Sequence, residues 1–151
     1  MPVNSTYEQR IKRTPAVDSK NGYWEGKRGE SKFVSNDDRV KDILAKHNVN
    51  GVDYKDGMPD FSPFTAGEVK INMNSNRNDN FKKADEKLAE IWSKRDNKVW
   101  TEKDIKDWRA SNNYTWHELN DTETIQLIPS IINAPIFKHF GGVGECIIGG
   151  F

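Results

Sequence analysis

The sequence has one cysteine, three histidines and no long apolar run. Cys146 stands alone among 151 residues, which excludes an internal disulfide and a cluster of thiolate metal ligands. No apolar stretch approaches the ~20 residues that span a bilayer, and the opening MPVNSTYEQRIKRTP contains no signal-peptide core. With 30% charged and 34% hydrophobic residues, the chain is expected to form one domain with a modest core.

The sequence also lacks a net charge. Proteins that bind duplex nucleic acid usually carry a basic excess, because neutralised phosphates release counterions and drive association. Residues 1–33 carry seven Lys/Arg and four Asp/Glu, a balance of +3, whereas residues 114–151 carry one Lys and four acids, a balance of −3. Charge alone therefore argues mildly against nucleic acid, and a nuclease of this composition would need a localised basic groove.

Helical and strand patterns both occur along the chain, which predicts an α+β fold in a single domain. Residues 1–20 are expected to be an irregular lead-in, and residues 21–151 the folded domain with a mostly helical N-terminal part. One helix is predicted to begin at Ser35 as N-cap. A strand is predicted over EVKINM at residues 68–73, which alternates like a half-buried strand.

Two further helices are predicted before the last forty residues. The segment NDNFKKADEKLAEIWSKR has apolar residues at spacings of three and four, with Asn78 or Asp79 as its cap. A shorter helix is predicted from Thr101, because Asp104 three residues later completes a capping pair.

The C-terminal region is predicted to form strand, turn, strand and helix. The strand in YTWHELND, residues 114–121, ends at His117 and Glu118, and the apolar run TIQLIP follows a polar turn. A helix is predicted to start near Pro129, because its ring presets the helical φ. Pro135 should break or kink this helix, and Gly141 and the glycine after it should end it.

Three polar side chains of this region, those of His117, Asn133 and His139, could meet at one point. They would suit a divalent metal, with imidazole and amide as ligands and another imidazole taking a proton from water that attacks a phosphodiester. The residues alone equally allow a simpler interpretation, in which His139 caps a helix, Asn133 bonds to the main chain and His117 is exposed.

The segments YTWHELNDTETIQLIPSIIN and KHFGGV resemble the C-terminal nuclease signature of the HNH/endonuclease VII superfamily. More narrowly, they resemble the Trp-His-His or Trp-His-Glu group of bacterial polymorphic-toxin domains. The upstream segments NGYWEGKRGES, YKDGMPDFSPF and NRNDNFKKAD resemble the accompanying parts of these toxin domains. The resemblance therefore covers most of residues 21–145.

This resemblance implies a ββα-metal (His-Me finger) core at about residues 113–142 and a metal-dependent endonuclease. The expected activity is a DNase that hydrolyses phosphodiester bonds with little sequence specificity. Such domains usually form the C-terminal part of a larger secreted or injected antibacterial protein, act in the cytoplasm of a target bacterial cell and are neutralised by a cognate immunity protein. DNA and an immunity protein are thus the expected partners.

The resemblance also assigns roles to residues. His117 and Glu118 are the expected catalytic residues, and His139, Asn133 and Glu118 the expected ligands of one divalent ion, Mg, Mn, Zn or Ni. Glu118 stands where many relatives have a second histidine, so which of His117 and Glu118 is base and which is ligand stays open. A carboxylate at this position favours Mg²⁺ or Mn²⁺, whereas an imidazole pair favours Zn²⁺ or Ni²⁺.

Two basic residues are further predicted to bind the substrate phosphate. Arg77 precedes a predicted helix start, where phosphate groups bind well, and Lys82 follows on that helix; both could instead be ordinary solvated side chains. Two alternative functions remain open: an RNase with the same metal centre, and a non-catalytic binding module stabilised by metal. The change His117→Ala would separate the enzyme from the module, since only the enzyme loses cleavage while keeping its fold.

Overall fold

A computed structural model describes residues 3–133 and 135–151. These residues form five α-helices and two antiparallel sheets, which confirms the α+β class. None of the helices in this described part is both long and apolar enough to cross a membrane. The chain divides into two compact units. We call them the four-strand unit, residues 5–64, 131–133 and 135–140, and the three-strand unit, residues 3–4, 65–130 and 141–151.

The four-strand unit is built on an antiparallel sheet of order β1-β2-β3-β4. Its strands are β1 (Gly22–Trp24), β2 (Lys32–Ser35), β3 (Val52–Lys55) and β4 (Met58–Pro59). Trp24 packs edge-on against Phe33 and Tyr54, with ring centroids 5.1 and 4.8 Å away. The part of the chain before residue 113, predicted to be mostly helical, thus also contains a sheet, because short aromatic strands joined by glycine-containing turns form the centre of this unit.

Two helices accompany this sheet, α1 (Tyr7–Arg13) and α2 (Asp38–Lys46). Helix α1 lies within the segment expected to be irregular, and residues 1–2 of that segment fall outside the described residues. A capping box starts α1, since the Thr6 hydroxyl accepts from the Gln9 N–H and the Gln9 side chain accepts from the Thr6 N–H. The N-cap of α2 is Asp37 rather than the predicted Ser35, which ends β2.

The three-strand unit contains an antiparallel sheet of order β5-β7-β6, covered by a long helix. Its elements are β5 (Gly67–Lys70), α3 (Arg77–Asp96), α4 (Glu102–Asn112), β6 (Tyr114–Glu118), β7 (Thr124–Pro129) and α5 (Gly142–Gly149). The N-cap of α3 is Asn76 rather than the predicted Asn78 or Asp79, so Arg77 is the first residue of the helix. The predicted Thr101 capping box of α4 is confirmed.

The hairpin of β6 and β7 forms as predicted, with Trp116 opposite Leu127 and Glu118 opposite Ile125. The predicted helix after it is wrong. Pro129 is the last residue of β7, the segment Pro135–Phe137 is a single 3-10 turn, and residue 134 lies outside the described residues. The α-helix of this region is instead α5, which begins at Gly142, where the predicted helix should have ended.

Candidate active site

Two carboxylates form the hydrogen bonds that connect helix α3 to strand β6. The Trp116 indole N–H on β6 donates to Asp85 on α3 at 2.8 Å. Two residues further along β6, Glu118 accepts hydrogen bonds from the first two turns of α3. Since side chains alternate along a strand, Trp116 and Glu118 share the face that α3 covers, and His117 between them belongs to the opposite face.

The Glu118 carboxylate is buried, yet it lies beside a cation that reaches solvent. Its Oε1 accepts from Arg77 Nε at 3.1 Å, and its Oε2 accepts from Asn80 Nδ2 at 2.9 Å. The side chain of Glu118 is 5% exposed, whereas that of Arg77 is 63% exposed. The structure thus brings together two residues that the sequence predicts for the site from positions 41 residues apart.

Asn80 also contacts Glu118, although it is not among the residues predicted for the site from the sequence. It is completely buried, and its amide contacts the main chain of Asn74 as well as Glu118. A signal for it was present, because Asn80, Ala84 and Leu88 follow one another at four-residue spacing along the apolar side of α3. A polar side chain in phase with a buried stripe needs a buried hydrogen-bond partner.

The start of α5 packs closely against this carboxylate. A Cβ atom added at Gly142 would lie 3.0 Å from Glu118 Cβ and 2.5 Å from the Leu119 carbonyl oxygen. Any larger residue at position 142 would therefore displace the end of β6. The glycine pair of the KHFGGV segment consequently has a packing role here: it lets a helix begin directly against the strand end that carries Glu118.

On the other face of the sheet, His117 lies in a row of polar side chains. Its cross-strand neighbour on β7 is Gln126, and the neighbour of Gln126 on β5 is Glu68. The Gln126 amide donates to Glu68 Oε1 at 2.8 Å. His117 and Gln126 are both buried. His117 and Glu118 therefore do not project side by side from the hairpin tip, because consecutive strand residues point to opposite faces.

His139 belongs to the four-strand unit, and its ring is held in a defined tautomer. Its Nδ1 is 2.9 Å from the Phe137 carbonyl oxygen. A carbonyl can only accept, so Nδ1 carries the proton, and in the neutral imidazole the lone pair lies on Nε2. The Phe61 ring packs edge-on against the imidazole, and the Tyr54 hydroxyl donates to the Lys138 carbonyl oxygen. Burial raises the pKa of Tyr54 well above its usual value, so this donor stays protonated.

The remaining predicted residues are placed as follows. Asn133 is half-buried in a turn of the four-strand unit, not on a helix. Lys82 is exposed on α3. His117, Glu118, Arg77 and Lys82 all lie in the three-strand unit, whereas Asn133 and His139 lie in the four-strand unit. The joint role of these two sets stays a prediction from the sequence.

The donor types present fit a divalent metal, although no cluster is assembled within either unit. Across residues 3–133 and 135–151, no three His, Cys, Asp or Glu side chains come together as a metal-binding group. In its neutral form the His139 ring would nevertheless have the tautomer of a ligating imidazole, because a main-chain carbonyl binds Nδ1. Glu118 carries one hydrogen bond on each oxygen, and a carboxylate can accept more than that.

The comparisons with known proteins agree with the nuclease interpretation. The model of a protein family described as the DNase/tRNase domain of colicin-like bacteriocin matches residues 51–141, more than half of the chain. The matched segment includes all six residues that the sequence predicts for the site. Searches of the curated proteins and of the solved structures gave no match.

Proposed function

Since the chain belongs to the family of DNase/tRNase domains of colicin-like bacteriocins, we propose that this nuclease toxin domain is a metal-dependent DNA endonuclease. The observation that carries the proposal is the pair of Arg77 and Glu118. Within the family match, a solvent-exposed guanidinium lies 3.1 Å from a buried carboxylate. Hydrolysis of a phosphodiester needs both a cation for the phosphate and a proton acceptor for the attacking water.

Arg77 is proposed to bind the scissile phosphate. Its guanidinium has five N–H donors in a planar fork, and only its Nε–H contacts Glu118. The remaining donors can therefore take a phosphate, which competes with Glu118 for the guanidinium. Arg77 is also the first residue of the 20-residue helix α3, and the N-terminus of a helix favours an anion through its unpaired N–H groups and its dipole.

Glu118 is proposed to accept the proton of the attacking water. A phosphate bound by Arg77 would lie beside this carboxylate, within reach of one intervening water. His117 is proposed as a further base or metal ligand, and His139 with Asn133 as metal ligands; these roles rest on the resemblance. A divalent ion so bound would stabilise the negative charge that develops on the phosphate and the leaving oxygen.

Lysines on α3 and β5 offer further contacts to the DNA backbone, although the groove that they line has no basic excess. Lys70, Lys83 and Lys87 line a groove of about 440 Å³ between β5 and α3, and Lys82 is exposed on the same helix. Three glutamates share this groove, so we expect weak binding of DNA with a modest dependence on salt. Weak, sequence-independent binding suits a toxin for which any accessible phosphate of a chromosome is a substrate.

The same family supports a proposal for the biological setting. We propose that the chain is the toxic part of a larger secreted or injected protein that acts in the cytoplasm of a target bacterium. A cell that makes such a nuclease needs a protein that neutralises it, so a cognate immunity protein is the expected partner. Coexpression of a neighbouring gene product that restores growth would identify this partner.

Cleavage of supercoiled plasmid by the purified chain tests the activity. Mg²⁺, Mn²⁺, Zn²⁺, Ni²⁺ or EDTA would be added to the wild type and to Glu118→Gln, His117→Ala and His139→Ala. We expect metal-dependent nicking that falls by about 10²–10⁴-fold in Glu118→Gln, the usual contribution of a general base. Glu25→Gln is the control, because Glu25 is an exposed carboxylate that does not line this groove.

Each outcome of this assay is decisive. Nicking that persists in Glu118→Gln at the wild-type rate would contradict the proposed role of Glu118. Cleavage of RNA but not of DNA, measured in parallel on a structured transcript, would replace the DNase by an RNase. No cleavage of either nucleic acid, together with a loss of thermal stability in His117→Ala, would support the binding module instead.

A further inference from the structure

Two donors hold the Glu118 carboxylate, and they differ in what else they can contact. Arg77 is mostly in solvent and uses one of its five N–H groups on Glu118. Asn80 is completely buried and cannot reach a substrate. A phosphate that draws Arg77 away would therefore leave Glu118 with Asn80 as the donor that stays in place.

The side chain of Asn80 is locked by the main chain of one residue. Its Oδ1 accepts from the Asn74 N–H at 2.9 Å, and its Nδ2 donates to the Asn74 carbonyl oxygen at 2.8 Å. The second Nδ2 proton donates to Glu118 Oε2 at 2.9 Å. This network fixes the orientation of the amide, because the Asn74 N–H requires the oxygen on its side. Asn80 cannot turn away from Glu118 without breaking both bonds to Asn74.

We propose that Asn80 is the positioning residue of the nuclease, which holds the Glu118 carboxylate in place while Arg77 engages the substrate phosphate. This inference rests on the proposed function of Glu118. Gly142 packs against the Cβ of Glu118 and so restricts the aliphatic part of the side chain, whereas Asn80 fixes the rotation of its carboxylate. A base displaced by about 1 Å loses up to about 10²-fold in rate.

The decisive experiment measures kcat and KM of Asn80→Ala and Asn80→Ser on a short DNA duplex. We expect kcat to fall by about 10- to 100-fold, the range found when a partner that orients a reactive group is removed. KM should stay within about twofold, because Arg77 and the lysines are intact. If Asn80 had only a structural role, its replacement would lower the apparent kcat only by reducing the fraction of folded protein. Circular dichroism measures that fraction.

A double-mutant cycle shows whether Asn80 acts through Glu118. If it does, Asn80→Ala should cause no further loss of kcat in the Glu118→Gln background, since residues that act as a unit are not additive. Ser93→Ala is the matched control: Ser93 lies on α3 and bonds to Ala89 and Trp100. It should lower the melting temperature and leave kcat of the folded protein unchanged.

The outcomes separate this inference from the function on which it rests. A full additional loss in the double mutant, or an unchanged kcat in folded Asn80→Ala and Asn80→Ser, overturns the role of Asn80 alone. An unchanged kcat in Glu118→Gln overturns the proposed function first.

Should both variants unfold, NMR of the intact protein decides the question. The Asn80 side-chain amide protons should stay protected from exchange when uncleavable phosphorothioate DNA is added in EDTA, while the Arg77 Nε–H signal moves. Loss of the Asn80 protection on binding DNA would overturn the proposal.

Discussion

Helix α3 is connected to strand β6 through two buried carboxylates, Asp85 and Glu118, and we call these connections the Asp85 and Glu118 attachments. They differ mainly in the solvent exposure of the arginine that binds each carboxylate. In one, Asp85 accepts from Arg109 at 2.9 and 2.7 Å and from the Trp116 indole. In the other, Glu118 accepts from Arg77 and from the Asn80 amide. Each consists of a buried carboxylate, a guanidinium and one neutral N–H donor.

The arginines have different surroundings. Arg109 is 13% exposed and binds Asp85 through two nitrogens, whereas Arg77 is 63% exposed and binds Glu118 through one. A guanidinium enclosed by protein stabilises the carboxylate that it contacts, but a solvated one adds little to folding. The comparison indicates that the Asp85 attachment maintains the fold, and that the Glu118 attachment is available to a ligand.

The largest effect is expected from Asp85→Asn. The change removes the charge that balances Arg109, and breaking a pair of this kind costs about 3 kcal/mol or more. This is a large share of the 5–15 kcal/mol that stabilises a typical domain. Urea denaturation measures the loss, with Asp107→Asn as control, because Asp107 forms an exposed pair with Lys103. A destabilisation no larger than that of the control would contradict the structural role of Asp85.

A smaller effect on stability, together with an effect on substrate binding, is expected from Arg77→Met. The variant should lose less stability than Asp85→Asn, because Arg77 is mostly in solvent and Asn80 still donates to Glu118. KM for DNA should rise about tenfold, equivalent to the loss of about 1.4 kcal/mol of binding. The slope of log affinity against log salt should decrease by about one, as for the loss of one phosphate contact.

Arg39→Met supplies the matched control for this change. Arg39 is an exposed arginine that pairs with Asp37 at the start of another helix, α2. Its removal should alter neither KM nor the salt slope. Equal effects of the two variants would mean that Arg77 contributes only general positive charge. The claim that the Glu118 attachment is available to a ligand would then be contradicted.

Local patterns in the sequence predicted those elements that depend on near neighbours. The spacing of Phe81, Ala84 and Leu88 indicated α3, the Thr101 capping pair indicated α4, and the alternating runs before and after the polar turn indicated the hairpin. Each of these signals lies within a few residues. The capping box at Thr6 is an equally local signal, and it begins a helix in a segment predicted to be irregular.

The contacts of the site were not predictable in the same way. Glu118 meets Arg77 and Asn80 across 41 and 38 residues, and no periodicity in the sequence pairs such positions. The helix predicted from Pro129 does not form, for a related reason. Proline often begins a helix, but it can also occupy a strand terminus, and here Pro129 pairs with Tyr114 across the hairpin as the last residue of β7.

The turn between β6 and β7 holds a third carboxylate, that of Asp121, which provides the smallest and most specific test. It contacts no arginine among the described residues; it accepts from the main-chain N–H groups of Glu123 and Thr124 and from the Thr124 hydroxyl. Burial alone would raise the pKa of Asp121, but the bonds from Thr124 and Glu123 outweigh it, and the pKa lies below its usual value.

A folded-state pKa below the unfolded value of about 3.9 fixes the sign of the pH dependence. The stabilisation is fully present above that value and is lost as the pH falls through the folded-state pKa. Asp121→Asn should therefore lower the free energy of unfolding by about 1 kcal/mol at pH 7, allowing for partial exposure, and by much less near pH 2. Urea denaturation at both pH values measures this difference, with Glu123→Gln as control. An equal loss of stability at both pH values would show that the asparagine amide of the variant fails to fit the turn for reasons other than charge. The Asp121 carboxylate, which is held by neutral donors, would then contribute no charge-dependent stability.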